Sequence, residues 1–189
     1  MFDAAPRISF DAGLLLRAQP VRLLLLDVDG VLTPGDLLVG ADGEQLKRFS
    51  TLDGHGLKLL AGCGVRPAVL SGRDSPALRA RLAELGLLEH ALLGRSHKLP
   101  GAQSLLQALQ LDWEQVAVIG DDWPDLPLLV RAGLAACPPQ SHPEVLARVH
   151  HVTRAPAGLG AVRELCDLLL CAQGAYAGLL EQAVHGEPA

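Results

Sequence analysis

Aromatic side chains are scarce in this 189-residue chain, where three Phe, two Trp and one Tyr make up 3% of the whole. There is no aromatic ladder for bases to stack on. With 16 Lys and Arg against 21 Asp and Glu, a net charge of −5, no basic stripe is available to a nucleic-acid backbone either, so nucleic-acid binding is not expected. Cysteine is sparse as well. Cys63, Cys137, Cys166 and Cys171 contain no C-x-x-C pair, which argues against a zinc ribbon or a disulfide framework and for reduced, buried thiols. Long apolar runs are missing too: Leu168 to Leu180 is broken by Gln173 and two glycines and falls short of the roughly 18 residues that cross a membrane. The N-terminal stretch carries Asp3, Arg7 and Asp11 before any apolar run, and Arg17 and Pro20 interrupt the leucines that follow, unlike a secretory signal. The expectation is a cytoplasmic protein without a membrane segment. Its 49% hydrophobic residues suffice for the core of one ordinary domain.

What is present has a clear rhythm. Leu23 to Leu26, Val65 to Leu70 and Val116 to Ile119 are apolar at nearly every position, and each ends in a polar or glycine-rich cluster. Such runs suit parallel strands covered on both faces. Pro67 is awkward inside the second run, so pairing there is expected to begin only after it. Helical stretches intervene: Leu57 to Ala61, Ser75 to Leu85 with Ser75 as N-cap and Pro76 at the first position, Ser104 to Leu109, Leu126 to Ala132, and one long helix from about Ala161 past Leu180. Alternating strands and helices imply an α/β fold built on a doubly wound parallel sheet. Asp36 to Phe49 breaks the pattern and reads as a β-hairpin with its turn at Gly40-Ala41-Asp42-Gly43, inserted straight after the first core strand. The division expected is an N-terminal extension (1–20), one domain (21–175) and a C-terminal tail (176–189).

In such a sheet, ligands bind beyond the carboxyl ends of the strands. That rule selects Asp27 and Asp29, Ser71, and Asp121 with Asp122, and Lys98 joins them from a loop. Carboxylates gathered at one place repel one another, and a hard divalent cation holds them together. Mg²⁺ prefers one or two carboxylates plus phosphate oxygens. Asp27, first after its strand, is placed to attack phosphorus and form an aspartyl-phosphate. Asp29, two residues on, can protonate the leaving alcohol and later deprotonate the hydrolytic water. Ser71, the Gly72 amide and Lys98 supply donors and charge for the phosphoryl oxygens.

LLLLDVDGVLT at 23–33, VLSGR at 69–73, Lys98 and VIGDDWPD at 118–125 resemble, in order, the four motifs of the haloacid dehalogenase phosphohydrolase superfamily. DGEQLKRFSTLDGHG at 42–56, SHK at 96–98 and GAVRELCDLLLCAQG at 160–174 extend the likeness to the 3-deoxy-D-manno-octulosonate 8-phosphate phosphatase family, over residues 21 to 173. The resemblance implies a Rossmann-like core with no separate cap, and Mg²⁺-dependent hydrolysis of a phosphorylated sugar acid in lipopolysaccharide sugar synthesis. It implies Mg²⁺ held by the Asp27 carboxylate, the Asp29 carbonyl and the Asp121 carboxylate, with Asp122 and Asp125 supporting from behind. It further implies substrate contacts from Asp29, Ser50, Thr51, Leu52, Asp53, Gly54, Lys58, Gly72, Arg73, Arg81 and Lys98, and a homotetramer assembled through hairpin 36–49.

Forty-four positions separate Asp27 from Ser71 and twenty-three separate Lys98 from Asp121, too few in either gap for a cap domain. A neighbouring subunit is therefore expected to cover the site. An Arg such as Arg73 is the side chain best shaped to grip the second anion of a sugar acid. The chain departs from the family at His55, Ser71 and Leu159, where tyrosine, threonine and a basic residue are usual. Arg81 and Lys58 equally suit solvated helix faces. The adjacent His150 and His151 share no face and are not read as a metal pair, while Trp113 and Trp123 are read as packing residues. Competing readings are a phosphatase for a nine-carbon ulosonic acid phosphate, a phospho-accepting signalling module, and a scaffold that assembles through the hairpin.

Overall fold

The computed structural model describes residues 6–41 and 43–186; Asp3, Asp42 of the expected turn and the last three residues of the tail lie outside them. Six strands form one parallel sheet: β1 (Leu23–Leu26), β4 (Arg66–Leu70), β5 (Ala91–Leu92), β6 (Val116–Ile119), β7 (Leu134–Cys137) and β8 (His151–Val152), in the order β5-β4-β1-β6-β7-β8. β2 (Leu38–Gly40) and β3 (Gly43–Leu46) pair antiparallel as a separate hairpin. The helices are α1 (Ala12–Ala18), α2 (Thr51–Ala61), α3 (Pro76–Glu84), α4 (Lys98–Leu109), α5 (Leu126–Leu129), α6 (Pro143–Leu146), α7 (Ala161–Ala172) and α8 (Tyr176–His185).

Strand alternation explains why β1 is apolar at all four positions. Leu24 and Leu26 enter one core with Leu57, Leu60, Leu78, Leu82 and the α7 face; Leu23 and Leu25 enter the opposite core with Ala102, Leu106, Leu128 and Leu129. Both faces are covered, so no position can be polar. Burying each leucine stabilises by about 1.5–3 kcal/mol, which makes β1 the mechanical centre of the domain.

Two expectations are corrected. Pro67 does pair, opposite Leu24. Odd-numbered residues of β4 direct their amides toward β5, as Ser71 N does to Leu92 O at 3.0 Å. Because β5 reaches only as far as Val69 and Leu70, the missing Pro67 N–H costs the ladder nothing. The expected long C-terminal helix is two helices. Gly174 takes the left-handed conformation (φ +72) and the Ala175 amide turns back onto Leu170 O at 2.9 Å, ending α7.

The N-terminal segment folds onto the domain: Asp11 caps α1 through the amides of Gly13 and Leu14, and Ala18 is fully buried in the first core. All four cysteines are free, Cys137 and Cys166 buried, Cys63 and Cys171 half-buried. Among the described residues no helix is long and apolar enough to cross a membrane.

Candidate active site

The chain leaves β1 for the hairpin, α2, β4 and β5 on one side, then crosses to β6 on the other. The gap between the carboxyl ends of β1 and β6 is therefore a topological switch point. Asp27 extends β1 by one residue, its amide donating to Ile119 O at 3.1 Å. The backbone then curls, with Thr33 N returning to Val28 O at 2.9 Å. Gly30 makes the curl possible, because its φ of +87 disfavours any side chain and a Cβ there would sit 2.1 Å from Asp121 Oδ2. The two acidic loops thus come together only across a glycine.

Lys98 opens α4, and its side chain is 3% exposed. Its ammonium lies 2.6 Å from Asp27 Oδ1 and 2.6 Å from Asp125 Oδ1. The other Asp125 oxygen accepts from the amides of Asp121 and Asp122, at 3.1 and 3.5 Å. Gly120 leaves it room, since a Cβ there would fall 2.4 Å from the Asp125 side chain. Asp125 is in this way a brace that sets the Asp121-Asp122 turn. Ser71 is buried, and its hydroxyl oxygen accepts from Arg73 N at 3.1 Å, leaving the hydroxyl hydrogen to donate.

Carboxylate oxygens of Asp27, Asp121 and Asp125 lie within 4.8 Å of one another, with one lysine among them. Burial, and then the Asp125 charge, raise the Asp27 carboxyl to about 6 despite Lys98. Burial, then Asp27 and Asp125, raise Asp121 to about 8. Burial alone would lower Lys98, but the Asp125 and Asp27 carboxylates hold it above its ordinary value. The cluster carries more negative charge than its own cation neutralises, and every donor is oxygen. These residues fit a hard divalent cation. Asp125 is already engaged by Lys98 and two amides, so Asp27 and Asp121 are the carboxylates left to bind one.

A cleft of about 560 Å³ opens over this cluster. Of the residues selected from the sequence, Asp27, Asp29, Ser71, Gly72, Arg73, Lys98, Asp121, Asp122 and Asp125 line it. Ser50, Thr51, Leu52, Asp53 and Gly54 lie elsewhere, at the start of α2, with Lys58 in the last turn of that helix and Arg81 on α3. Ser50 caps α2. Asp53, only 1% exposed, accepts from Arg163 N at 2.8 Å and Gly160 N at 3.4 Å, and so caps α7. Burial raises its carboxyl, and those amides oppose the shift. Arg81 donates to Ser50 O at 3.1 Å and to Glu84 at 2.8 Å, with its guanidinium 5.9 Å from the Phe49 ring centre.

Ser96 and Pro124, members of the SHK and VIGDDWPD stretches but given no role there, also line the cleft. Ser96 lies in the loop two residues before Lys98, which the sequence places in that loop and which instead begins α4. Lys47 and Glu44 lie in the hairpin segment 36–49 and carry no local signal for this site, because only the fold brings Lys47 to Asp29, 18 positions away. Lys47 reaches back to Asp29 Oδ1 at 2.5 Å and Glu44 Oε1 at 3.1 Å. Trp113 packs in the second core as expected. Trp123 does not; it is 60% exposed on a 3-10 turn, its ring edge-on to His142 and its N–H donating to His142 Nδ1 at 3.2 Å. His150 and His151 part company, one accepting from Ala135 N and the other meeting Glu164.

Comparison with known proteins gives a consistent answer. Residues 93–165 match the model of the haloacid dehalogenase-like hydrolases. The 3-deoxy-D-manno-octulosonate 8-phosphate phosphatase KdsC of Escherichia coli K12 is 41% identical over 163 residues, 86% of each chain. The crystal structure of the corresponding phosphatase from Yersinia pestis superposes with a TM-score of 0.85 at 41% identity, over 88% of this chain and 90% of that one. The Moraxella catarrhalis phosphatase, solved with magnesium, phosphate and KDO, superposes at 0.86 with 32% identity, over 90% and 97%.

Proposed function

Because the chain belongs to the 3-deoxy-D-manno-octulosonate 8-phosphate phosphatase family, within the haloacid dehalogenase-like hydrolases, we propose that it hydrolyses that sugar-acid phosphate to 3-deoxy-D-manno-octulosonate and phosphate. The observation that carries the proposal is the pairing of Asp27 with Lys98 beside Asp121, under a cleft that also holds Asp29 and Ser71.

Lys98 holds Asp27 Oδ1, so the second Asp27 oxygen is the nucleophile. It bonds to phosphorus as the bond from phosphorus to the sugar oxygen breaks, and Asp29 gives its proton to that departing oxygen. Asp29 then takes a proton from water, which displaces phosphate from Asp27 and restores the carboxylate. Ser71, the Gly72 amide and Lys98 hold the phosphoryl oxygens meanwhile. The site suits Mg²⁺, with Asp27, the Asp29 carbonyl and Asp121 as ligands and Asp122 and Asp125 behind them; when bound it supplies positive charge to the phosphoryl group.

Arg73, at the rim, is assigned to the substrate carboxylate. Lys58, with Ser50, Thr51, Leu52 and Gly54, is assigned to the sugar-acid end beyond the cleft, and Asp53 and Arg81 keep that loop in shape. Leu38, Val39 and Leu46 of the hairpin are 49%, 68% and 64% exposed. This apolar surface supports assembly into a homotetramer in which hairpins from neighbouring copies meet and shield the clefts. We place the enzyme in the cytoplasm, in lipopolysaccharide sugar synthesis.

The test is phosphate release from the eight-carbon substrate, a nine-carbon ulosonate phosphate and simple sugar phosphates, each with Mg²⁺ and with chelator. Chelator-sensitive preference for the first is expected. A preference for the nine-carbon ester would move the substrate, and inactivity on every ester would overturn the proposal.

A further inference from the structure

The hairpin does more than face outward. Lys47, just past β3, has a side chain only 2% exposed although neighbouring Leu46 and Arg48 lie open to solvent. Burying an ammonium is costly unless it is paired. Lys47 is paired twice, with Asp29 Oδ1 at 2.5 Å and with Glu44 Oε1 at 3.1 Å. Glu44 in turn lies 3.7 Å from Arg73. Hairpin and catalytic loop are therefore joined within one subunit by a chain of charges that ends on Asp29.

The two oxygens of Asp29 are not equivalent. Oδ1 faces Lys47 and, at 3.5 Å, the Thr33 hydroxyl, whereas Oδ2 has Arg73 Nε at 3.9 Å, beyond hydrogen-bond range. An ammonium carries donors and no acceptor, so the oxygen it binds cannot present a proton toward it. We propose that Lys47 is a positioning residue for the reaction: by anchoring Oδ1 it turns Oδ2 into the cleft as the oxygen that gives its proton to the leaving alcohol and recovers one from water. The inference rests on the phosphatase reading above. It assigns to the hairpin a role inside its own subunit's site.

A mispositioned acid damages esters of poor leaving groups and spares those whose alkoxide leaves unaided. The experiment is kcat/KM, which reports phosphoryl transfer to Asp27 and not the later hydrolysis, over alkyl and aryl phosphate monoesters of graded leaving-group pKa. The enzymes are wild type, Lys47→Met, Lys47→Arg, Asp29→Asn and the Lys47→Met/Asp29→Asn double variant. Lys47→Met is expected to lose about 100-fold on alkyl esters, part of the 10²–10⁴ that a positioned acid supplies, and less than about threefold on p-nitrophenyl phosphate. Lys47→Arg should recover much of the alkyl activity, and Lys47→Met should add almost nothing in the Asp29→Asn background. Equal losses on all esters, as a merely structural lysine would give, or full additivity with Asp29→Asn, would overturn the inference while leaving the phosphatase reading intact. A wild-type enzyme inactive on every ester would remove both.

Discussion

Lys98 and Asp27 meet at 2.6 Å, ammonium to Oδ1, with side chains 3% and 12% exposed. The same ammonium binds Asp125, so one buried cation stands between the nucleophile and the brace of the Asp121 turn. Replacing it as Lys98→Met leaves two buried carboxylates uncompensated. The variant is expected to lose about 3–5 kcal/mol of stability in urea unfolding and at least ~100-fold in kcat. Unchanged turnover would remove Lys98 from the site.

The raised carboxyls predict how stability follows pH. Asp27 rises to about 6 and Asp121 to about 8, both from 3.8. Between the unfolded and folded values the native state binds protons that the unfolded chain has released, so the contribution is full below pH 3.8 and is lost as pH rises through 6 and then 8. In chelator, the melting temperature should therefore fall from about pH 5 to pH 8.5, at a scale of about 1.4 kcal/mol per unit of displacement. Mg²⁺ binds the deprotonated cluster, so the stabilisation it adds should grow over the same window. Asp121→Asn should flatten the fall in chelator and abolish most of the Mg²⁺ response, which differential scanning calorimetry would show.

Gly30 tests the approach of the two loops. An added methyl would lie 2.1 Å from Asp121 Oδ2 on a residue with φ +87. Gly30→Ala should cost about 1–2 kcal/mol from backbone conformation alone, weaken Mg²⁺ in titration calorimetry and lower kcat at least about tenfold. Wild-type metal affinity in that variant would mean that Asp121 can move aside without consequence.

The hairpin gives a prediction about assembly. Val39→Asp places a charge on the most exposed apolar residue of β2, at 68%. Sedimentation is expected to show four chains for wild type and one or two for the variant. A variant that still forms tetramers would shift the interface elsewhere.

Much of this site could be read along the chain, for physical reasons. Asp27, Ser71 and Asp121 each follow an apolar run of strand length, and the rule for parallel sheets gathers strand ends at one place. Ser75 and Pro76 start α3 where local capping chemistry puts them. What escaped depended on partners distant in sequence. Pro67 pairs because β5 happens to be short, which no local pattern records. Lys47 is a polar residue in an exposed hairpin until the fold brings Asp29 within reach, 18 positions away. The capping role of Asp53 shows only once the amides of Gly160 and Arg163 arrive from 107 and 110 positions on.

Asp27 is the proposed nucleophile, and its most direct test is rapid acid quench of the Mg²⁺-loaded enzyme with ³²P-labelled 3-deoxy-D-manno-octulosonate 8-phosphate, followed by mapping of labelled protein. The expected result is a hydroxylamine-sensitive phosphoenzyme that forms and decays no more slowly than turnover, maps to Asp27 and is absent in Asp27→Asn. Phosphate released without a phosphoenzyme, or undiminished release by Asp27→Asn, would contradict it.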